Sequence, residues 1–307
     1  MSDAEALLHR AISLLAHQRA EEAERAALEG LGQFPAFSRL RVCLANALLM
    51  QGRYRDGFRE LEARDHRLKS PGWGLPYPEW DGGLAGRSIL VLGEQGIGDE
   101  IMGARFIRLL RQRAAARITF AVWPQNVRAF REVGADLVIA RAGEVSIPRH
   151  NCWVSLWSIP YKLGLGRDEI SGAAYLQAPR AAGGIGLVER GSPDNARDPD
   201  RSLPTGLLQD AVPQGRLLEP AGDVLDSLRQ VAGLDLLITV DTSWAHMAGA
   251  LGVPCWILLP YRNLDWRWMR ERADTPWYGS ARLFRQTAVG DWSSVIGGVK
   301  AALAARG

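Results

Sequence analysis

The stretch from Leu236 to Pro260 constrains the fold of this chain more than any other. It opens with the apolar run Leu236–Val240, breaks at Asp-Thr-Ser, continues with small helix-compatible residues as far as Gly252, and resumes as a second apolar run that ends at Leu259. Two apolar runs on either side of a short helical segment predict a β-α-β unit. Such a unit belongs to a parallel sheet.

The turn between the first strand and the helix carries the residue types of an anion site. Asp241 stands where a helix N-cap is expected, and Thr242 and Ser243 fall in the first turn, where backbone N–H groups lack partners within the helix. A helix end of this kind can hold a phosphate. His246 is four residues after Thr242 and shares its face of the helix. The alternative is an ordinary capped helix with a half-buried histidine.

Composition limits the classes of protein to consider. At 307 residues the chain has room for about two domains of 100–200 residues. The net charge is only +3 and no dense basic block is present, so nucleic-acid binding is not favoured. Three widely spaced cysteines suggest neither a disulfide framework nor a cysteine-based zinc site. The sequence shows no signal peptide and no apolar run of ~18 residues, so we expect a cytoplasmic protein without a membrane span.

The first 69 residues have a helical pattern rich in Ala, Leu, Glu and Arg. Two segments align at an offset of 34 residues, the length of a tetratricopeptide helical hairpin. The second copy carries the clearer signature, in Ala45, Leu48, Gly52, Tyr54 and Leu61. Generic helical hairpins are the alternative. Because about three such repeats are usually needed for independent stability, we expect the pair to lean on the next domain or on another subunit.

After a Pro- and Trp-rich connector, the strand Ser88–Leu92 leads into a glycine-rich turn, residues 93–99, and a helix expected from Glu100 to Arg113. A strand, a glycine-rich turn and a helix predict a doubly wound fold with a ligand at the turn. The glycine spacing is not that of the dinucleotide fingerprint, so a nicotinamide enzyme is not favoured. Three further strands are expected at 118–122, 137–139 and 152–156, with a helix from Asn126 to Val133.

A second unit is expected to begin near residues 181–183 with the strand Ile185–Val188. A long polar loop follows, and within it Asp198-Pro199-Asp200 has the form of an Asp-x-Asp metal motif. In a Pro-rich polar loop we favour turn formation over metal binding. A clipped strand at Leu217-Leu218 and a helix from Asp223 to Val231 precede the β-α-β unit.

The predicted organisation is therefore an α/β protein with an all-α, tetratricopeptide-like segment in front of two facing Rossmann-like domains. The expected boundaries are 1–69 for the helical segment, 70–180 for the first Rossmann-like domain and 181–307 for the second, which carries the Trp-rich tail.

Four segments taken together resemble a known group of proteins. They are Gly93-Glu94-Gln95-Gly96-Ile97-Gly98-Asp99, Arg201-Ser202-Leu203-Pro204, Asp241-Thr242-x-x-x-His246-x-Ala248-x-Ala250-Leu251-Gly252-x-Pro254, and the tail from Asp265 to Trp292. With these segments the chain resembles bacterial tetratricopeptide-linked glycosyltransferases. That group is related to the ADP-heptose:lipopolysaccharide heptosyltransferases and, more distantly, to O-GlcNAc transferases. The likeness covers about residues 73 to 307.

The resemblance implies a GT-B fold and an inverting, metal-independent transfer from a nucleotide-sugar donor, with no cofactor. Asp99 aligns with the carboxylate that acts as general base on the acceptor hydroxyl; its alternative role is the N-cap of the following helix. The donor diphosphate is expected to bind to the turn and helix at 241–246 through Asp241, Thr242, Ser243 and His246. The compensating positive charge is expected from Arg201, or failing that from Arg197. The acceptor side is expected to be formed by Glu94, Gln95, Gly96 and Gly98.

The tryptophans of the tail have two interpretations. They form either an aromatic wall for a base or sugar, or a cover over the seam between the domains, and we favour the cover for most of them. Asp265 and Trp266 are the two expected to reach a ligand, because they follow the strand that ends at Leu259.

Two departures from the group leave a second function open. Glu189 stands where the group usually has Trp, and the segment from Thr205 to Leu234 is short. Both concern the pocket for the nucleotide base. The main hypothesis is a glycosyltransferase acting on a protein or glycan hydroxyl. The alternative is a catalytically defunct GT-B-like binding or scaffold protein, with residues 1–67 binding a protein partner or a second copy.

Overall fold

The computed structural model describes residues 3–143, 145–180 and 183–306. The expected start of the second unit therefore lies partly outside the described residues, since 181 and 182 are not among them. None of the helices in these three ranges is both long enough and apolar enough to cross a bilayer.

The N-terminal segment is helical, as predicted. Its helices are α1 (Asp3–Ala16), α2 (Ala20–Gln33), α3 (Ser38–Met50), α4 (Tyr54–Glu60) and α5 (Asp65–Leu68). Small residues let these helices pack closely: a Cβ added at Gly30 would lie 2.6 Å from the Leu40 side chain. The assignment of these helices to tetratricopeptide repeats stays a prediction.

The first sheet has four parallel strands in the order β3-β2-β1-β4. The strands are β1 (Ser88–Leu92), β2 (Arg117–Val122), β3 (Leu137–Ala140) and β4 (Cys152–Ser155). The helices connected to this sheet are α6 (Ile97–Gly103), α7 (Arg105–Gln112) and α8 (Ile159–Lys162). The predicted strands are confirmed, β1 at both of its ends and the others to within one residue. The helix expected from Glu100 to Arg113 instead begins at Ile97 and is divided at Ala104.

The helix predicted from Asn126 to Val133 is wrong. A short 3-10 turn, Pro124–Asn126, is followed by irregular turns. Two buried side chains explain the difference: the Asn126 amide donates to the Glu100 carboxylate at 2.8 Å, and the Phe130 ring stacks on Phe120 at 5.6 Å. These tertiary contacts override the local helical pattern.

The second sheet has five parallel strands in the order β6-β5-β7-β8-β9. The strands are β5 (Ile185–Val188), β6 (Arg216–Leu217), β7 (Leu236–Val240), β8 (Cys255–Leu259) and β9 (Ala281–Arg285). The helices around it are α9 (Asp198–Arg201), α10 (Leu207–Ala211), α11 (Val224–Ala232), α12 (Ser243–Leu251) and α13 (Trp292–Ala304). The β-α-β unit β7-α12-β8 is confirmed, and the clipped strand β6 has two residues. The remaining short 3-10 turns are Leu61–Ala63, Pro71–Gly74, Leu156–Ser158, Arg167–Glu169 and Trp266–Trp268.

The helical segment packs against elements of both sheets. The Asn263 backbone N–H, in the loop after β8, donates to the Ala16 carbonyl at 2.9 Å, and the Trp277 indole N–H donates to the Tyr54 hydroxyl at 2.9 Å. One buried apolar cluster contains residues of α3, α4, both sheets and the tail. The α/β class with parallel sheets is therefore confirmed, whereas the GT-B arrangement and the domain boundaries stay predictions.

Candidate active site

Each sheet has a switch point, a place between two neighbouring strands where the strand order reverses direction. On the two sides of this place, strands are added toward opposite edges of the sheet. In the first sheet it lies between β1 and β4, and in the second between β5 and β7. Ligands of open α/β sheets bind beyond the carboxyl ends of the strands at such points. The glycine-rich turn follows β1 and the Asp-Thr-Ser turn follows β7, so both predicted motifs lie at switch points.

The two motifs meet where α6 packs against α12. A Cβ added at Gly98 would lie 3.1 Å from His246 Cδ2 and 3.4 Å from Ser243 Cα. The missing side chain at Gly98 allows this approach. Gly98 and Ser243, 145 positions apart in the sequence, are thus brought together.

One interpretation of the sequence made Asp99 the N-cap of its helix, and this is wrong. Gly96 is the N-cap residue, and Asp99 is three residues further on, where its Oδ2 accepts the Gly96 N–H at 3.0 Å. The helix begins early because this carboxylate reaches back to satisfy a backbone donor of the first turn. Oδ1 forms an ion pair with Arg267, and the side chain remains 25% exposed.

Arg267 joins the two halves of the site, and the sequence analysis did not single it out. Its Nη1 donates to both oxygens of Asp265, at 3.0 and 2.9 Å, and its Nη2 to Asp99. The guanidinium also lies 5.1 Å from the Trp157 ring and 4.8 Å from the Trp266 ring. Burial opposes its charge, but the carboxylates of Asp265 and Asp99 raise the pKa of Arg267 above its ordinary value.

Asp265 and Asp241 are neighbouring carboxyl groups whose pKa values are shifted in opposite directions. Burial alone would raise the pKa of Asp265, yet the charges of Arg267 and Arg197 lower it. Burial, together with the charge of Asp265, raises the pKa of Asp241. Arg197 Nη1 lies 3.3 Å from Asp265 Oδ2. The arrangement keeps a negative charge on Asp265 next to two cations.

The N-cap of α12 is Thr242, and the prediction that Asp241 fills this position is wrong. Thr242 has the extended backbone of a cap residue, while its hydroxyl lies 3.3 Å from the Thr239 hydroxyl. Arg201 is brought to this turn as expected, and its Nη1 donates to the Asp241 carbonyl at 2.7 Å. Asp241 is therefore held through its backbone, one residue before the N-cap of the helix.

The carboxylates of the Asp-x-Asp sequence are directed at protein donors. Asp198 pairs with Arg201 at 3.2 Å and accepts the Ser202 hydroxyl at 2.8 Å, while Asp200 accepts the Asn263 amide at 2.5 Å. Across residues 3–143, 145–180 and 183–306, no three His, Cys, Asp or Glu side chains are grouped as a metal site would require. The contacts of Asp198 and Asp200 support turn formation.

His246 is buried and fully engaged with aromatic neighbours. Its Nδ1 lies 2.9 Å from the Tyr278 hydroxyl, and its ring stacks on Trp268 with centroids 5.6 Å apart. Burial, reinforced by the charge of Arg267, lowers the pKa of His246 to about 3. The imidazole is therefore neutral at pH 7.

Glu94 and Gln95 shape the glycine-rich turn. The buried Glu94 carboxylate accepts two bonds from Arg64, at 2.8 and 2.6 Å, and the Trp157 N–H at 2.8 Å, so it ties β1 to β4 across the switch point. Gln95 has a φ of 62°, and its carbonyl accepts the Trp123 indole N–H at 2.8 Å. The predicted acceptor-side residues thus form a rigid turn.

The loop after β8 carries backbone strain next to the site. Asn263, Met269 and Glu271 have φ values of 56°, 53° and 55°. Such conformations persist only where surrounding contacts impose them. Arg285 supplies these contacts by donating to the carbonyls of Trp268, Met269 and Arg272 at 2.6, 3.2 and 2.8 Å. Burial lowers the pKa of Arg285 to about 10.

A cavity of about 690 Å³ lies against this loop. Its lining includes Ile12 of α1, Val42 of α3, Gln95 and Gly96 of the glycine-rich turn, and the loop after β8. The loop residues on the cavity are Asn263, Leu264, Asp265, Trp266 and Arg267, with Arg197 beside them. Its size is that of a pocket for a nucleotide-sized ligand. Asp265 and Trp266, predicted to reach a ligand, both line it.

The tryptophans of the tail are buried. Trp268 and Trp277 are inaccessible to solvent, and Trp266 and Trp292 are nearly so. Trp266 and Trp277 each contact Trp157, which follows β4, and this supports the interpretation as a cover over the seam; Trp266 also lines the cavity. Trp292 instead packs in the core of the second sheet.

Glu189 has a structural role in place of the tryptophan expected there. The buried carboxylate accepts the N–H groups of Gly206, Leu208 and Gln209 at 2.9, 2.7 and 3.0 Å. At the start of a helix such N–H groups have no acceptor within the helix, and here Glu189 is their acceptor. Glu189 therefore holds α10 on the end of β5.

No family model matches the chain. It is 22% identical to protein FlbA of Caulobacter vibrioides over 91% of its own length and 57% of that protein, so it spans little more than half of this curated relative.

Solved structures are similar over the sheet-containing part. A glycosyl transferase family 9 protein of Veillonella parvula matches with a TM-score of 0.50 and 12% identity, over 71% of this chain and 90% of that one. The Escherichia coli heptosyltransferase WaaC, solved with ADP, matches with a TM-score of 0.48 and 12% identity, over 72% of this chain and all of the other. The chain thus shares the α/β fold of the family 9 glycosyltransferase structure.

Proposed function

We propose that the protein is a glycosyltransferase that moves a sugar from a nucleotide-diphosphate sugar to a hydroxyl of a protein or glycan. The observation that carries this proposal is the Asp99 carboxylate, which is held by the Gly96 N–H and by Arg267 and stays 25% exposed where the turn after β1 meets the loop after β8. A general base must stand within hydrogen-bond reach of the attacking hydroxyl.

The proposed reaction is a single displacement with inversion. The acceptor oxygen forms a bond to the anomeric carbon and gives its proton to Asp99. The bond from the anomeric carbon to the diphosphate breaks, and the nucleoside diphosphate leaves with the electron pair.

The protein's own cations support a metal-independent reaction. Arg197 and Arg201 lie beside Asp241 and Asp265, and the N-terminus of α12 adds unpaired backbone donors. Guanidinium groups bind phosphate oxygens in pairs, and a helix N-terminus favours an anion. These groups would stabilise the charge that develops on the leaving diphosphate.

The remaining elements follow from this assignment. The two sheets would form the two halves of a GT-B fold, with the donor on the side of α12 and the acceptor on the side of Glu94, Gln95, Gly96 and Gly98. The helical segment, proposed to be a pair of tetratricopeptide repeats, lines the cavity with α1 and α3 and would contribute to holding the acceptor.

The first experiment is a thermal-shift panel of UDP, GDP, ADP, CMP and their sugars, followed by measurement of nucleotide release from each sugar that binds. A ligand that binds only the native state raises the melting temperature by mass action. We expect one diphosphate class to do so, and we expect Asp99→Asn to lower the rate of release by about 10²–10⁴-fold without abolishing binding. Asp168→Asn, at an exposed site, is the matched control.

A second candidate, a GT-B-like binding protein without catalysis, is favoured by one observation. Thr242 and His246 are both buried where α12 packs on α6, and the histidine is occupied by Tyr278. If no nucleotide or nucleotide sugar stabilises the chain and none is turned over, this second candidate replaces the first.

A further inference from the structure

The guanidinium of Arg267 is unusual because almost all of its donors are used inside the protein. Nη1 and Nη2 serve two carboxylates from different parts of the chain, and Nε lies 3.0 Å from the Met102 sulfur. The residue is 7% exposed, and its guanidinium carbon lies 5.1 Å from the Trp157 ring centroid and 4.8 Å from that of Trp266. Its position is therefore fixed by contact with two aromatic rings as well as by charge.

The two oxygens of Asp99 are held by different elements. Oδ2 is fixed from within α6 by the Gly96 N–H, and Oδ1 is fixed from the opposite sheet by Arg267. An ionised carboxylate has about four acceptor positions, so two donors leave positions free for an incoming hydroxyl. Without Arg267, only the single backbone bond would determine the orientation of this carboxylate.

Arg267 is also the second member of a row of alternating charges. The row runs from Asp99 through Arg267 and Asp265 to Arg197, with 2.9 Å between Arg267 and Asp265 and 3.3 Å between Asp265 and Arg197. The inner side chains, Arg267 and Asp265, are 9% and 14% exposed, whereas the Arg197 side chain is 57% exposed at the wall of the cavity. The exposed end is thus the cation that an anionic ligand would meet first.

We propose that Arg267 is a positioning residue, which orients the Asp99 carboxylate and links it through Asp265 to Arg197 on the donor side. This inference rests on the proposed function. A donor diphosphate competes with Asp265 for Arg197. When Arg197 turns to the diphosphate, Asp265 keeps Arg267 as its main partner. The orientation of the Asp99 carboxylate, which Arg267 holds, then depends on whether the donor site is occupied.

The test compares Arg267→Lys and Arg267→Ala with the unmodified chain. Lysine keeps the charge but cannot form the planar fork that reaches both carboxylates, so we expect either change to lower kcat for nucleotide release by about tenfold or more, with little change in the KM for the donor. Arg197→Ala should instead mainly raise that KM. Arg272→Lys is the matched control, because Arg272 makes a two-point pair with Asp274 in the same loop, with both bonds at 2.8 Å, but is more exposed.

A double variant separates positioning from mere structural support. Because Arg267 acts through Asp99, Asp99→Asn/Arg267→Ala should be no slower than Asp99→Asn alone, whereas independent effects would multiply. Melting temperatures of all variants report any loss of fold.

The outcomes distinguish the two proposals. If the unmodified chain turns over no nucleotide sugar, the proposed function fails and the positioning role fails with it. If the unmodified chain is active but the Arg267 variants change only KM or melting temperature, or the double variant multiplies the single effects, the positioning role alone is overturned.

Discussion

The guanidinium of Arg64 and the carboxylate of Glu94 form a two-point ion pair, with bonds of 2.8 and 2.6 Å, in which each residue is no more than 5% exposed. Arg64 belongs to the helical segment and Glu94 to the turn after β1. The pair therefore anchors the helices to the switch point of the first sheet.

Removing one member of this pair should be far more harmful than removing both. Arg64→Met leaves the Glu94 charge buried without its main partner, which should lower the free energy of unfolding by about 3–5 kcal/mol. Arg64→Met/Glu94→Met should recover most of that loss in denaturant titrations. Arg10→Met, at an exposed pair with Glu29, is the control. A double variant less stable than Arg64→Met would contradict the expectation.

The Tyr54 hydroxyl is the second anchor of the helical segment. Tyr54→Phe leaves the buried Trp277 indole N–H without an acceptor, so we expect a loss of about 1–3 kcal/mol in the free energy of unfolding. Chemical denaturation checks this against Tyr161→Phe, which removes a hydroxyl from an exposed ring. Equal effects of the two changes would show that the bond to Trp277 contributes nothing.

His246 should make stability depend on pH. The folded-state pKa of about 3 lies below the ordinary value of 6.5, so between these values the unfolded chain binds a proton that the folded chain does not. Stability therefore falls as pH falls through this window, by up to about 1.4 kcal/mol per pH unit. In His246→Phe the slope of unfolding free energy between pH 6 and 4.5, roughly the middle of that window, should be smaller by this amount. An unchanged slope in His246→Phe would rule the assignment out.

Glu189 is expected to stabilise the fold by holding α10, and not to bind a ligand. In Glu189→Ala, three N–H groups lose their acceptor, so amide exchange at residues 206–209 should accelerate and stability should fall by about 1–3 kcal/mol. Hydrogen-exchange mass spectrometry measures the first effect. Nucleotide binding that disappears while exchange at 206–209 stays slow would instead place Glu189 in the base pocket.

Local patterns were sufficient for the elements that carry the motifs. Apolar runs broken by Gly or by Asp-Thr-Ser predict β1, β5 and the unit β7-α12-β8. They do so because strand length and turn chemistry are local properties of the sequence. Placing both turns at switch points follows from the parallel order of the strands. The helix expected from Asn126 failed because the Asn126 and Phe130 side chains are engaged by distant residues.

The ion pair between Arg267 and Asp99 was not accessible to sequence reasoning. Arg267 meets Asp99 across 168 positions of the chain, and no spacing rule connects them. The cap assignments of Asp99 and Asp241 were wrong by three residues and one residue, since several polar residues competed for one helix start. The one local signal for Arg267 was its tryptophan neighbours in the sequence, of which Trp266 does contact the guanidinium, while the second aromatic partner, Trp157, is 110 positions away.

The contacts of Tyr54 and Phe58 with Trp266, each with centroids 6.1 Å apart, couple the helical segment to the tail. A different helical module grafted onto the same sheets would have to reproduce these aromatic contacts. Trp266 also lines the cavity, so exchanging the helices would alter the wall of the cavity as well as its rim.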